Sequence, residues 1–499
     1  MKHQTQRAAM RPAAPLAVGL LTALLAACSS LAPDYQRPPA PVGAQWPAQE
    51  AAQRAAASVA EAGPAAELPW QDLYADPKLR QVITLALENN RDLRVAALNI
   101  ERARAQYRIQ RAALLPEVAV GGGQTAQRTP ASISAGGAGG ISRAYTLDVG
   151  ISAYEIDVFG RLRSLKDAAL QSYLATSETR RATHISLISE VAGAYLSLAA
   201  DSDLQRLAQD TLASRQQSYD LQAERSQIGN ASALELRQAE GELREAQALV
   251  LSADEQVALD RNALELLAGA PLDAELLPAS GALTQLLGAH DIPAGLPSDL
   301  LRNRPDILAA EHKLVGANAD IGAARAAFFP SISLTATVGR ASNDLSNLFD
   351  GGGRSWGVIP QINLPILTGG RLKAQLETSE VDRSIAVAEY EHAIQTAFRE
   401  VADTLAKRSV VDGQWTAQRR RAEAAREALD LVQLRYDNGV AGYLDVLDAQ
   451  RTLYASQQSL IQAELSRQSS LVALYKVLGG GWSRTTEQVA AHPITQTVR

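Results

Sequence analysis

The chain has 499 residues, 46% hydrophobic and 20% charged, with 48 Lys+Arg against 54 Asp+Glu. The single cysteine excludes an internal disulfide framework and a multi-cysteine zinc site. The net charge of −6 argues against a basic nucleic-acid binder. Aromatic side chains are scarce (5 Phe, 5 Trp, 13 Tyr). With so little aromatic area, long and thinly packed helices are expected rather than one large globular core.

Residues 1–27 read as an export signal. Lys2, Arg7 and Arg11 precede an uncharged apolar run from Leu16 to Ala27. That run is far shorter than the ~20 residues needed to span a bilayer as a helix. It ends Leu24-Leu25-Ala26-Ala27-Cys28, which resembles a bacterial lipobox and makes Cys28 the expected lipid attachment point. Residues 28–69 form the acylated N-terminal tether, rich in Pro and Ala from residue 33. No later segment is apolar enough to cross a membrane as a helix, so any crossing must use strands of a closed barrel.

The rest of the chain is one pattern written twice. At a constant offset, Arg161-Leu162 matches Arg371-Leu372, and Glu190-Val191-Ala192 matches Glu400-Val401-Ala402. Gly229 matches Gly439, Leu234 matches Leu444, and Leu243 matches Leu453. The expected layout is a first repeat over 70–270, a connecting segment over 271–300, a second repeat over 301–480 and a tail over 481–499. A unit of this length is a duplicated domain rather than a solenoid repeat.

Each repeat opens with a helix running into a proline, near 90–115 and 304–328. Strand-like stretches follow at 117–127 and 144–154, and again at 331–339 and 355–365. Ser331-Ile332-Ser333-Leu334-Thr335-Ala336-Thr337-Val338 alternates polar and apolar side chains. That period suits a strand with one face to lipid and one to water, and equally a soluble hairpin. Four strands cannot close a barrel, so a barrel requires several chains. A helix free of proline then runs from Arg161 to Gln227, and its counterpart from Arg371 to Asn438. At 1.5 Å per residue each reaches roughly 100 Å. The steps Leu187, Val191, Ala194, Leu198 form a narrow coiled-coil seam, expected to pack against helices of neighbouring chains. Each long helix stops at Gly229 or Gly439, and a second helix returns over about 232–268 or 442–478.

No nucleophile–base constellation, phosphate loop or histidine metal spacing stands out. No enzymatic activity, metal or cofactor is therefore expected beyond the lipid on Cys28. Glu311-His312 and Glu391-His392 read as isolated pairs on helix surfaces.

Several stretches together carry a resemblance. They include Leu68-Pro69-Trp70, Asp157-Val158-Phe159-Gly160-Arg161, Arg304-Pro305-Asp306-Ile307 and Phe328-Phe329-Pro330. Leu444-Asp445-Val446-Leu447-Asp448-Ala449-Gln450 and Leu478-Gly479-Gly480-Gly481-Trp482 complete the set. In this order the chain resembles TolC/OprM-type outer-membrane efflux factors, in their NodT-like lipoprotein branch. The resemblance implies a mainly α protomer with a small β part. Three copies would make a twelve-stranded outer-membrane β-barrel and a periplasmic α-barrel. It implies a passive exit duct for drugs or other small molecules, working with a periplasmic adaptor and an inner-membrane pump of the resistance-nodulation-division class. The outer component of a type I protein secretion system, or a periplasmic coiled-coil lipoprotein without a pore, are the alternatives.

By motif, the resemblance assigns the periplasmic gate to Leu444, Asp445, Asp448 and Tyr436, and adaptor contact to the tips at Gly229 and Gly439. Carboxylate rings at a narrow axis repel one another and favour cations. The plainer role for both aspartates is stabilisation of a helix start. Where some relatives place an arginine after the tip glycine, this chain has Ala441. The substrate is not legible.

Overall fold

The structure is a computed structural model that describes residues 30–43, 46, 68–133, 139–229, 231–288, 292 and 297–481. Cys28 and the tail beyond Gly481 lie outside the described residues. In chain order the elements are α1 (Trp70–Leu73), α2 (Pro77–Asn89), α3 (Arg91–Ala112), β1 (Val118–Thr129) and β2 (Gly140–Ile156). Then come α4 (Arg161–Gln227), α5 (Ala233–Ala268), α6 (Pro297–Asn303), α7 (Pro305–Ala326), β3 (Ser331–Ser342) and β4 (Arg354–Asn363). The chain continues through α8 (Arg371–Asp437) and α9 (Tyr443–Val477). Both long helices have 67 residues. None of the described helices is long and apolar enough to cross a membrane.

The chain divides into two compact units. The first gathers residues up to 39, 101–175 and 310–390. Its centre is one antiparallel sheet in the order β1-β2-β3-β4. The register aligns the side-chain alternation across all four strands. Val120, Val149, Val338 and Trp356 share one rung. Val118, Ile151, Ala336 and Val358 share another, and Ile156, Ile332 and Ile362 a third. Because partners across a ladder point to the same side, all of these form a single apolar face. The opposite face carries Gly121, Thr146, Asp148, Ser333, Thr335, Thr337 and Gln361. Both faces are open in the protomer: Trp356 on the apolar face is 78% exposed, and Ile359, which pairs Thr335 on the other, is 62% exposed. A bulge between Ile151 and Tyr154 places Ala153 at φ 50, and its amide donates to Thr335 Oγ1 at 3.0 Å.

The N-terminal segment is docked rather than a free tether over its first residues. Asn318 donates to the Pro33 carbonyl at 2.6 Å. Tyr35 donates to Glu311 at 3.1 Å, and Arg37 grips the same carboxylate twice at 2.7 Å. Gly322 is required by this approach, because a Cβ there would lie 2.7 Å from the Ala32 nitrogen. His312 hydrogen-bonds Gln171 at 2.7 Å. Glu311-His312 is therefore a packing node, in contrast to the bare surface pair expected from sequence.

The second unit comprises 40–100, 176–309 and 391–499. Its core joins Trp70, Leu73 and Tyr74 of the α1 region and Leu79, Val82 and Ile83 of α2 to Leu187, Ile188, Val191, Tyr195 and Leu198 of α4. Leu264 of α5 and Tyr475 of α9 complete it. The Leu187–Leu198 seam is thus covered within one protomer, Val191 fully, contrary to the expectation that neighbouring chains would cover it. The physical reason is the short helix pair before α3, which supplies the large apolar side chains that the alanine-rich seam lacks. Pro77 starts α2 and the Asp76 carboxylate accepts from the Lys78 amide at 2.7 Å, which fixes that pair in place.

Asp201 lies beside Asp260, and burial followed by that neighbouring carboxyl pushes its pKa from 3.8 up to about 7. A raised folded-state pKa contributes stability below the unfolded value, lost as pH rises through the folded one. Asp201→Asn should therefore flatten the loss of thermal stability between pH 3.8 and about 7. An unchanged pH slope of the unfolding midpoint would contradict this assignment.

Candidate functional site: the hairpin tips

The turns joining α4 to α5 and α8 to α9 bring the sequence-derived site residues to one region of the second unit. Gly229 and Gly439 end their helices at φ 76 and φ 73. A Cβ on either would meet nothing described within 4 Å. Each glycine is therefore required by its left-handed backbone, as a helix stop, and not by close packing inside the protomer. Beyond the first stop, Ser232 and Glu235 form a capping box: the Ser232 amide donates to Glu235 at 2.7 Å and the Glu235 amide to the Ser232 hydroxyl at 3.2 Å. The second turn has Gly442 at that position and keeps half of the device, with the Gly442 amide donating to Asp445 Oδ2 at 2.9 Å.

Asp445 thus holds the start of α9 while its carboxylate stays near the surface. Asp448 stands one turn further on the same helix face. Both line a shallow concavity with Arg435, Ala441, Ala449 and Thr452. Among the described residues no Lys or Arg lies within ion-pair distance of either aspartate. Leu444 points away from the protomer and is 62% exposed, as is its counterpart Leu234 at 67%.

Tyr436 sits apart from the aspartates in a lock between the two hairpins. Its hydroxyl accepts from Gln222 at 2.8 Å and from Arg225 at 2.7 Å, both on α4. The Arg225 guanidinium is also 5.2 Å from the ring centroid, but the short hydroxyl bond marks the dominant contact. Tyr443 packs 5.9 Å from the Tyr436 ring, buried with Ala239 and Leu447. Burial raises the Tyr443 pKa, with Arg215 opposing.

A second tie lies deeper. Arg215 of α4 pairs with Glu242 of α5 at 3.2 Å, and their side chains are only 6% and 7% exposed. Arg451 of α9 binds the same carboxylate, and Gln450 accepts from Arg215. Desolvation lowers the Arg215 pKa, with Glu242 opposing it. Removing one member of such a buried cluster costs about 3–5 kcal/mol, because a charge is left unpaired.

Gln222, Arg225, Arg215, Glu242, Gln450 and Arg451 escaped the reading from sequence. The signal that finds most of them is divergence between the repeats. Gln222 aligns with Val432, Tyr436 with Ser226, Glu242 with Thr452 and Arg451 with Gly241. The hairpins are fastened where the duplication is broken.

With this geometry in hand, comparison with known proteins is decisive. The outer membrane efflux protein family model matches residues 82–270 and 296–480. The chain belongs to that family. It is an outer-membrane channel protein of an efflux system. The toluene efflux pump outer membrane protein TtgF of Pseudomonas putida is 50% identical over 95% of this chain and 98% of its own length. Outer membrane protein OprJ of Pseudomonas aeruginosa is 45% identical over 95% and 97%. Among solved structures, the open-state MtrE outer membrane channel of Neisseria gonorrhoeae superposes with a TM-score of 0.81. That channel is 39% identical and the match covers 91% of this chain and 98% of that one.

Tyr436→Phe leaves Gln222 and Arg225 without their shared acceptor, a loss of about 1–3 kcal/mol from the inter-hairpin lock. The variant should conduct more than the parent protein in a planar bilayer. Equal conductance would show that the lock does not restrain the channel.

Proposed function

We propose that three copies of this chain close one barrel through the free edges of β1 and β4, forming a passive exit duct anchored by a lipid on Cys28. The observation that supports this most is the open sheet. It has an apolar face, a polar face and two outer strands with no partner among the described residues. In hydrocarbon each unpaired backbone group costs several kcal/mol, so open edges cannot persist in a bilayer. Three protomers of four strands give a closed twelve-stranded wall, with the Ser/Thr/Gly/Asp face toward a water-filled lumen.

In this reading the hairpin tips form the periplasmic mouth. Asp445 and Asp448 from three copies make an acidic ring that selects cations and narrows the closed state. Leu444 adds an apolar constriction. Tyr436 holds the second hairpin to the first until the tips spread. Gly229 and Gly439 mark the surfaces a periplasmic adaptor grips, beneath an inner-membrane pump of the resistance-nodulation-division class. Relatives named for toluene, solvent and antibiotic efflux support hydrophobic small molecules as cargo. The chain works without enzymatic activity: the pump supplies both energy and selection, and the duct needs only a hydrated path.

Asp445→Asn with Asp448→Asn should reduce cation selectivity in planar bilayers and leave the trimer intact. Unchanged reversal potentials would remove both aspartates from the gate. Gly439 replaced by a bulky residue should abolish adaptor-dependent export while the trimer forms normally. Loss of the trimer would assign the glycine to folding alone.

A further inference from the structure

The two repeats differ sharply at the junction below the sheet. In the first, Asp157 follows β2 and accepts from the Leu162 and Arg163 amides at 3.1 and 2.9 Å. At the aligned position after β4 the chain has Leu367. A leucine offers no acceptor, and this one is 93% exposed. Ile366 beside it is 90% exposed. Two fully open aliphatic side chains in a row are costly in water, at about 1.5–3 kcal/mol each relative to burial.

Their surroundings indicate what covers them. The apolar face of β4 runs Trp356, Val358, Pro360 and Ile362. Leu364 follows next, half exposed, and the chain then bends at Ile366, which leaves Ile366 and Leu367 open beside the strand end. Immediately beyond stand Arg371 and Lys373, both exposed and in the first turn of α8. Among the described residues Arg371 reaches only Gln375, at 3.1 Å, and Lys373 only Glu377, at 3.7 Å. An exposed pair of that kind contributes little and leaves the ammonium available. An apolar band ending in a row of cations matches the boundary between acyl chains and phosphate headgroups. Exposed Arg108 and Arg111 stand near the end of α3 in the same unit. The same four cations suit a layer of phosphates.

We infer that Ile366 and Leu367 form a foot inserted among the acyl chains of the inner leaflet, with Arg371 and Lys373 holding phospholipid phosphates beneath it. This rests on the membrane-barrel reading and adds a lipid-binding surface confined to the second repeat.

The test uses the full-length trimer in vesicles of phosphatidylcholine alone or mixed with phosphatidylglycerol. A bimane fluorophore is placed at Leu367→Cys or, as a reference on the apolar face, Val358→Cys, with the labelled parent chain subtracted. Brominated acyl chains should quench both positions. Brominated phosphatidylglycerol should quench Leu367→Cys better than brominated phosphatidylcholine. Arg371→Gln with Lys373→Gln should reduce that preference by up to about fivefold per charge removed. Quenching at Val358→Cys with none at Leu367→Cys overturns the foot and leaves the barrel standing. Absence of quenching at both positions sinks the barrel reading. An unchanged lipid preference in the double variant, or its abolition by inorganic phosphate, overturns the headgroup contact. Trimer dissociation in the double variant, whatever the lipid, would assign the patch to a neighbouring copy.

Discussion

The four-stranded sheet cannot be satisfied by its own chain. Its register puts most of the large apolar side chains on one face and most of the hydroxyls, with Asp148 and Ile359, on the other. Neither face is covered by the protomer, and the outer edges of β1 and β4 carry unpaired backbone groups. Water suits one face, lipid suits the other, and only further strands suit the edges. Much else in the molecule is consistent with meeting that demand. The Pro33–Arg37 segment is laid along α7 in the same unit as the sheet, held by Asn318 and Glu311. The helices that begin at the sheet's lower rim start with basic residues, where an anionic layer would stabilise them.

Duplication explains how a chain with few aromatic residues builds both the sheet and the long hairpins. It also shows where specific features were added. The repeats agree at positions that shape the backbone, such as Gly229 with Gly439 and Arg161 with Arg371. They disagree where one hairpin must recognise the other. Tyr436 has a serine as its counterpart, and the buried Arg215–Glu242 pair with its exposed partner Arg451 has none of its charges repeated at the aligned positions. A buried charge cluster is a modest source of stability but a strict one for register, since any slip strands a charge. The hairpins are therefore held in register by polar contacts alongside the apolar cluster of Ala239, Tyr443 and Leu447.

Much of this was legible before any coordinates. Proline placement, terminal glycines and strand alternation put every long element within a few residues of its place, because those signals act locally. Ser331–Val338 advertised its two-faced character through its own period. Three features were hidden. The Leu187–Leu198 seam looked as though it needed a neighbouring chain, and the partner proved to be the modest helices around Trp70 and Leu79. The docking of Tyr35 and Arg37 on Glu311 joins residues far apart in sequence, with no local pattern to reveal it. The turn that leads to Asp445 and Asp448 follows a local pattern, whereas Gln222 and Arg225 depend on the crossing of two hairpins, which no single helix encodes.

The central claim is that closure of the sheet edges between copies creates the pore. Cysteine pairs test it directly: one cysteine on β1 at Val120, combined in turn with positions scanned along β4 from Trp356 to Ile362. Oxidation of the full-length protein in membranes should give a ladder that stops at three chains for at least one register, with conductance preserved. Failure to cross-link at any register, or a ladder that runs past three, would contradict the account.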